Sequence, residues 1–306
     1  METIRLRIVS LLASATEIVC ALDAGDMLVG RSHECDSPEW VRQLPACSEP
    51  AFDVAVSSGA IDAEVRRRIA SGEELYRVNG DLIRELRPDL VIAQSHCEVC
   101  AVTPGDMERS GACLPMLALT ASSVEGIFES IGQVASRLGL EEHGAAVVAR
   151  ERQQLDHVRG RTAGLRAPRV VMLEWCDPLF AMGNWGPELI EIANGQLMIG
   201  KKGEYSTSMP GEKLVEADPE YLIVAPCGFN LERAIQEKTV LERNAWWSGL
   251  RAVRQGKVAF ADGNLFFNRS GMTIAPTAEI IAEILHGVTF DAATHGTHWV
   301  WMGETA

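Results

Sequence analysis

The sequence predicts an α/β protein with two lobes of mostly parallel sheet joined by a long, stiff helix. Three observations predict it. Short apolar runs alternate with helical patterns along most of the 306 residues. The alternation stops between residues 122 and 165, where helical spacing persists without a strand signal. A similar helix–proline–strand phrase then occurs once on each side of that stretch, at 81–93 and 212–225.

Taken in order, the apolar runs at 7–12, 28–30, 90–93, 117–119, 170–173, 221–225 and 258–261 read as strands. Most are followed by a polar turn and a helical segment, the rhythm of parallel sheets buried on both faces. Ile127, Ile131, Val134 and Leu138 keep helical spacing, with Ser122 or Ser123 as a cap and Gly139 as a local break. The expected layout is an N-terminal lobe at 1–120, a connecting helix at 121–166, a C-terminal lobe at 167–290 and a tail at 291–306. The tail has no usable period.

Composition narrows the function. Lys and Arg number 28 against 42 Asp and Glu, a net charge of −14, which argues against nucleic acid as a partner. No window is apolar enough for a membrane span. Residues 8–22 resemble a signal peptide only superficially, because Glu2 spoils a basic start and Glu17 interrupts the apolar stretch. The expectation is a cytoplasmic protein whose eight cysteines remain thiols.

Ligands in open parallel sheets bind outside the carboxyl ends of the strands. Chemistry-bearing residues gather at those places. His33, Glu34, Cys35 and Asp36 follow the second strand, and Ser95, His96, Cys97, Glu98 and Cys100 the third. Glu174, Trp175, Cys176 and Asp177 follow the fifth, and Cys227, Gly228 and Phe229 the sixth. Thiolate and imidazole groups suit soft and borderline metals, and Cys97-x-x-Cys100 has the bite of a two-ligand loop. The same pair also reads as a redox dithiol, a lone Cys as a small core hydrophobe, and His33 as a partner of the Asp36 turn. Trp175, Trp185, Phe229, Phe266 and Phe267 follow strand ends too, and ring faces at a cleft suit a large conjugated ligand. Core packing is the competing reading, favoured for Phe266. No dinucleotide fingerprint, Walker A loop or serine-hydrolase elbow is present.

Residues 7–18 (Arg-Ile-Val-Ser-Leu-Leu-Ala-Ser-Ala-Thr-Glu-Ile) resemble the opening of mature solute-binding proteins of ABC importers for vitamin B12, haem and iron–siderophores. The 81–93 and 212–225 stretches are similar to that family's pattern in both lobes. The loops around His33–Asp36, Cys97–Cys100, Glu174–Leu179 and Cys227–Phe229 look like those of a cysteine-rich, cytoplasmic-looking subset of its cobalamin-binding branch. The resemblance covers about residues 5–286. It implies two Rossmann-like lobes of the periplasmic-binding-protein-like, helical-backbone class, with ligand held between them. It implies cobalamin or another corrinoid, or a similar metal chelate, as a non-enzymatic cargo. The expected ligand-facing set is Ser14, His33, Glu34, Ser95, His96, Glu174, Trp175, Trp185, Phe229 and Phe267. In the importers an acidic residue on each lobe docks on permease arginines. Asp81 and Glu212 occupy similar places, so an ABC permease is the implied partner if the chain is exported. The alternative is a zinc or iron–sulfur protein with Cys35, Cys97, Cys100 and Cys227 as ligands; a thiol- or metal-dependent enzyme is a third reading.

Overall fold

The computed structural model describes residues 6–95, 99, 101–112 and 114–304. The chain divides into two compact units. One holds the residues up to Val56 together with Ala63–Ala121 and Glu125–Arg150; the other holds Ser57–Asp62, Ser122–Val124 and everything from Glu151 on.

The first unit is built on β1 (Ile8–Ser10), α1 (Ala13–Ala21), β2 (Leu28–Arg31), β3 (Ser48–Pro50), α2 (Ser58–Ser71), β4 (Tyr76–Val78), α3 (Gly80–Leu86), β5 (Leu90–Gln94), α4 (Pro104–Arg109), β6 (Met116–Leu119), α5 (Val124–Leu138) and the start of α6 (Glu141–Thr162). The first turn of α2 falls with the second unit. The sheet order is β2-β1-β5-β6, all parallel. β5 is buried along its whole length, which explains why Leu-Val-Ile-Ala reads as an unbroken apolar run. Val9, Leu11, Ile83, Val91 and Met107 form the core beneath it. Helix starts follow local chemistry. The Asn79 side chain accepts the Leu82 N–H at α3, and Thr103 and Asp106 form a reciprocal capping box at α4.

The second unit continues with β7 (Arg169–Cys176), β8 (Leu179–Ala181), α7 (Gly186–Ile192), β9 (Gln196–Leu197), β10 (Thr207–Met209), α8 (Gly211–Ala217), β11 (Tyr221–Val224), α9 (Leu231–Gln236), α10 (Lys238–Glu242), α11 (Arg251–Arg254), β12 (Val258–Ala261), α12 (Ile274–His286) and β13 (Trp299–Trp301). Its sheet runs β10-β8-β7-β11-β12-β13, with β9 beside β7. β7, β11 and β12 are parallel, and β8, β10 and β13 run against their neighbours. Val171, Leu173, Leu222, Val224, Val258 and Phe260 point into a core shared with Leu214, Leu241 and Trp247.

One expectation is sharpened and two change. The local break expected at Gly139 divides the stretch 121–166 into two helices, α5 and α6, as the chain turns there at φ 68°, a conformation that favours glycine. The strand expected at 170–173 runs on to Cys176, so Glu174 and Trp175 lie in β7 and turn directly into the β8 hairpin. The supposed tail contributes β13. Its Trp299 indole N–H and Thr294 backbone N–H both donate to the buried Glu283 carboxylate, at 3.2 and 2.9 Å, which ties the segment to α12. No helix among the described residues is long and apolar enough to cross a membrane.

Candidate functional site

In the first unit the chain leaves β1 toward β2 on one side, while β5 lies on the other. The carboxyl ends of β1 and β5 are therefore a topological switch point, where ligands bind in sheets of this kind. Ser14 stands in the opening turn of α1 and is buried. Ser95 is exposed just beyond β5, and its hydroxyl lies 2.6 Å from that of Thr120 at the end of β6.

His33 is half-buried after β2. Its Nδ1 is 3.0 Å from the Ser48 hydroxyl, and its ring lies 5.5 Å from that of Tyr76 with the planes inclined at 37°. Burial, helped by the Arg31 cation, pulls its pKa down to about 4, so the imidazole is neutral near pH 7. Glu34 is half-buried, 4.0 Å from His33 Nε2.

Cys35 corrects an expectation. It is fully buried, its sulfur accepts from Thr16 Oγ1 at 3.1 Å, and Ser32 Oγ lies at 3.4 Å. Burial pushes the thiol pKa up, the wrong direction for a thiolate ligand. Cys35 belongs to the core of its unit. His96, Cys97 and Cys100 lie outside the described residues. Among the described residues no group of three or more His, Cys, Asp or Glu is placed to hold a metal ion.

The second unit brings two of its aromatic candidates, Trp175 and Phe229, together at the ends of β7 and β11. Trp175 is half-buried at the turn into β8 and lies 5.2 Å from Phe229, with the ring planes inclined at 57°. Its indole N–H donates to the carbonyls of Asp177 at 3.1 Å and Ser58 at 3.3 Å. Phe229 is buried, with the Arg233 guanidinium 3.8 Å from its ring centre. The Glu174 carbonyl accepts the Cys227 N–H at 3.0 Å, which joins the two strand ends; both residues are half-buried.

Trp185 and Phe267 correct a second expectation. The sequence places both among the rings expected to face the ligand, but they are 8% and 1% exposed. The Trp185 N–H donates to the Phe267 carbonyl at 3.1 Å, and the Phe267 N–H to Thr277 Oγ1 at 3.2 Å. Both residues pack the loop that follows β12. Cys176 is likewise a core thiol, its pKa raised chiefly by burial.

Sequence reading missed Asn268, whose amide donates to the carbonyls of Ala225 and Gly263 at 3.0 and 2.9 Å and fastens the strand-end loops. It also missed Ser58, Arg233 and Glu237. A serine pair ahead of a helix was the only available signal for Ser58. Asp81 and Glu212 stand exposed in the first turns of α3 and α8, at matching places in their units.

Comparison with known proteins agrees with this architecture. A family model described as periplasmic binding protein matches residues 8–265. An ABC transporter substrate-binding lipoprotein, YvrC of Bacillus subtilis (strain 168), is 21% identical over 290 residues, covering 93% of this chain and 81% of that protein. A periplasmic heme binding protein from Pseudomonas aeruginosa superposes with a TM-score of 0.71 at 19% identity, covering 94% of this chain and 95% of that one. The periplasmic vitamin B12 binding protein BtuF of Vibrio cholerae does so with a TM-score of 0.65 at 18% identity, covering 91% and 96%. At such identities the structures speak for the fold.

The expected cytoplasmic placement is overturned. The matching model describes periplasmic proteins and the curated relative is a lipoprotein, so kinship points outside the cytoplasm. That expectation rests on Glu2 and on Glu17 interrupting an apolar stretch, but Ile8–Ser10 and Ala13–Ala21 are β1 and α1, the opening of the fold, so Glu17 is a residue of a structural helix and holds no information about export. Matched over 258 consecutive positions, from residue 8 to residue 265, the chain belongs to the periplasmic binding protein family.

Proposed function

We propose that this protein is the extracytoplasmic solute-binding component of an ABC importer, and that its solute is a planar metal chelate, with cobalamin or another corrinoid as the first candidate. Family membership supports the binding role. The chelate class is supported by the resemblance of the strand-end loops to the cobalamin-binding branch and by relatives named for heme and vitamin B12. The observation that carries it is Trp175. Its indole N–H is already bonded to two carbonyls, so what remains for a solute is the ring face. A ring face rewards a large flat ligand, with about 1 kcal/mol per stack beyond area burial. His33, Glu34, Ser95, His96 and Glu174 complete the proposed contacts at the strand ends, whereas Ser14 and Phe229, 2% and 4% exposed, are buried in their own units. Asp81 and Glu212, exposed at matching helix starts, are the proposed contacts to permease arginines.

The test is a titration of the full chain with cyanocobalamin, haemin and a ferric siderophore, followed by tryptophan quenching and the chelate's absorbance. Saturable one-to-one binding of cyanocobalamin, tighter than that of the siderophore, is the expected result. Failure of all three to bind would remove the chelate reading and leave a solute-binding protein of another specificity.

A further inference from the structure

Ser58 has no exposed surface, although it opens a helix whose later turns are mostly half-buried or exposed. Both of its polar ends are engaged within the second unit. Its hydroxyl donates to Glu237 Oε2 at 2.5 Å, and Glu237 is itself only 5% exposed. Its carbonyl accepts the Trp175 indole N–H. The next residue, Gly59, lies so close to the β7–β8 turn that a methyl group there would sit 2.4 Å from Asp177 Oδ2. The opening turn of α2 is thus pressed against Asp177, whose carbonyl is the other acceptor of the indole N–H, and a charge-assisted bond to Glu237 pins it.

We propose that the turn 57–62 is a positioning clamp for Trp175, in which Ser58 and Glu237 set the plane of the indole that meets the solute. The proposal rests on the reading of Trp175 as a solute contact. Its physical logic is specific. Any residue at 58 keeps a backbone carbonyl, so the acceptor for the indole survives mutation. What Ser58 adds is the hydroxyl that seats the turn on Glu237. Without it the carboxylate is left buried and under-paired, the turn lifts, and the indole loses one of its two acceptors. Ser58 and Glu237 are therefore positioning residues that need not touch the solute.

The experiment uses the full chain labelled with 5-fluorotryptophan, whose seven tryptophans give separate fluorine signals, with Trp175 assigned through Trp175→Phe. In Glu237→Ala and Ser58→Ala the Trp175 signal should shift and broaden while the Trp185 and Trp299 signals stay in place. Cyanocobalamin affinity should fall roughly tenfold. Glu237→Gln still offers an oxygen to the Ser58 hydroxyl and should restore both the signal and the affinity. An unmoved Trp175 signal in Glu237→Ala, or a Gln variant as impaired as the Ala variant, overturns the clamp. A signal that moves with Ala and returns with Gln supports it even if the wild-type chain binds no chelate; in that case the ligand reading alone is lost.

Discussion

The segments Gly80–Gln94 and Gly211–Val224 follow one plan in the two units but face different walls. Each begins with a seven-residue helix, closes on a left-handed residue (Arg87 at φ 47°, Asp218 at φ 41°), meets a proline and enters a buried strand. Each helix also opens on a glycine under pressure. A methyl group at 80 would meet the Ser110 carbonyl oxygen at 2.3 Å, and one at 211 the Trp246 indole nitrogen at 2.1 Å. The first wall is backbone; the second is a half-buried side chain. The rims beyond the strands diverge further. Past β5, the Ser95 hydroxyl pairs with Thr120, and past β2, His33 pairs with Ser48. Past β11, Phe229 meets Trp175. The shared scaffold therefore carries a rim of internally paired polar groups in one unit and a rim of rings in the other.

The largest test of that contrast is acid. His33 has its pKa lowered to about 4 from 6.5, so the unfolded chain takes up the proton first as pH falls. The stabilisation is complete above pH 6.5, declines below it and is gone near pH 4, about 3 kcal/mol in all. Denaturant unfolding at pH 7 and pH 4 should show this loss, and His33→Gln should remove that share of the pH slope. A variant with the wild-type slope would mean that His33 is not held neutral by its surroundings. Next in size is Trp175→Ala, expected to cost about 2 kcal/mol of cyanocobalamin affinity, some thirtyfold, by titration. Gly80→Ala should destabilise by about 2 kcal/mol, because a carbonyl cannot step aside, whereas Gly211→Ala should cost about 1 kcal/mol as Trp246 shifts. Equal melting-temperature losses would erase the distinction between the two walls. The smallest effect is expected from Ser95→Ala, under about 1 kcal/mol in affinity, since Thr120 remains to serve the same polar edge.

Much of the scaffold was legible because a strand buried on both faces has to be written as an apolar run. Leu90–Gln94 and Val258–Ala261 show this. The strands that escaped notice are short and half polar, such as Ser48–Pro50 and Gln196–Leu197, and exist through their pairing partners. The site was legible in position but not in orientation. Cys35 does follow a strand, yet its sulfur turns inward to Thr16, and Trp185 and Phe267 turn toward each other. Strand-end placement cannot report which way a side chain points. Beyond the serine pair it belongs to, nothing local marks Ser58, since its partners Glu237 and Trp175 are 179 and 117 positions away.

The closing segment of the chain has a practical meaning. β13 lies along the open side of β12, and its own outer side is already occupied: Glu304 accepts the Trp301 N–H through its carboxylate at 2.9 Å and donates its own N–H to the Trp301 carbonyl at 3.0 Å. The sheet is thereby sealed against a further strand. Removing the last dozen described residues would uncover a ready template for pairing with other copies. Such a shortened protein should precipitate or form ladders of subunits, so those who produce this molecule should attach purification handles elsewhere and leave its final strand untouched.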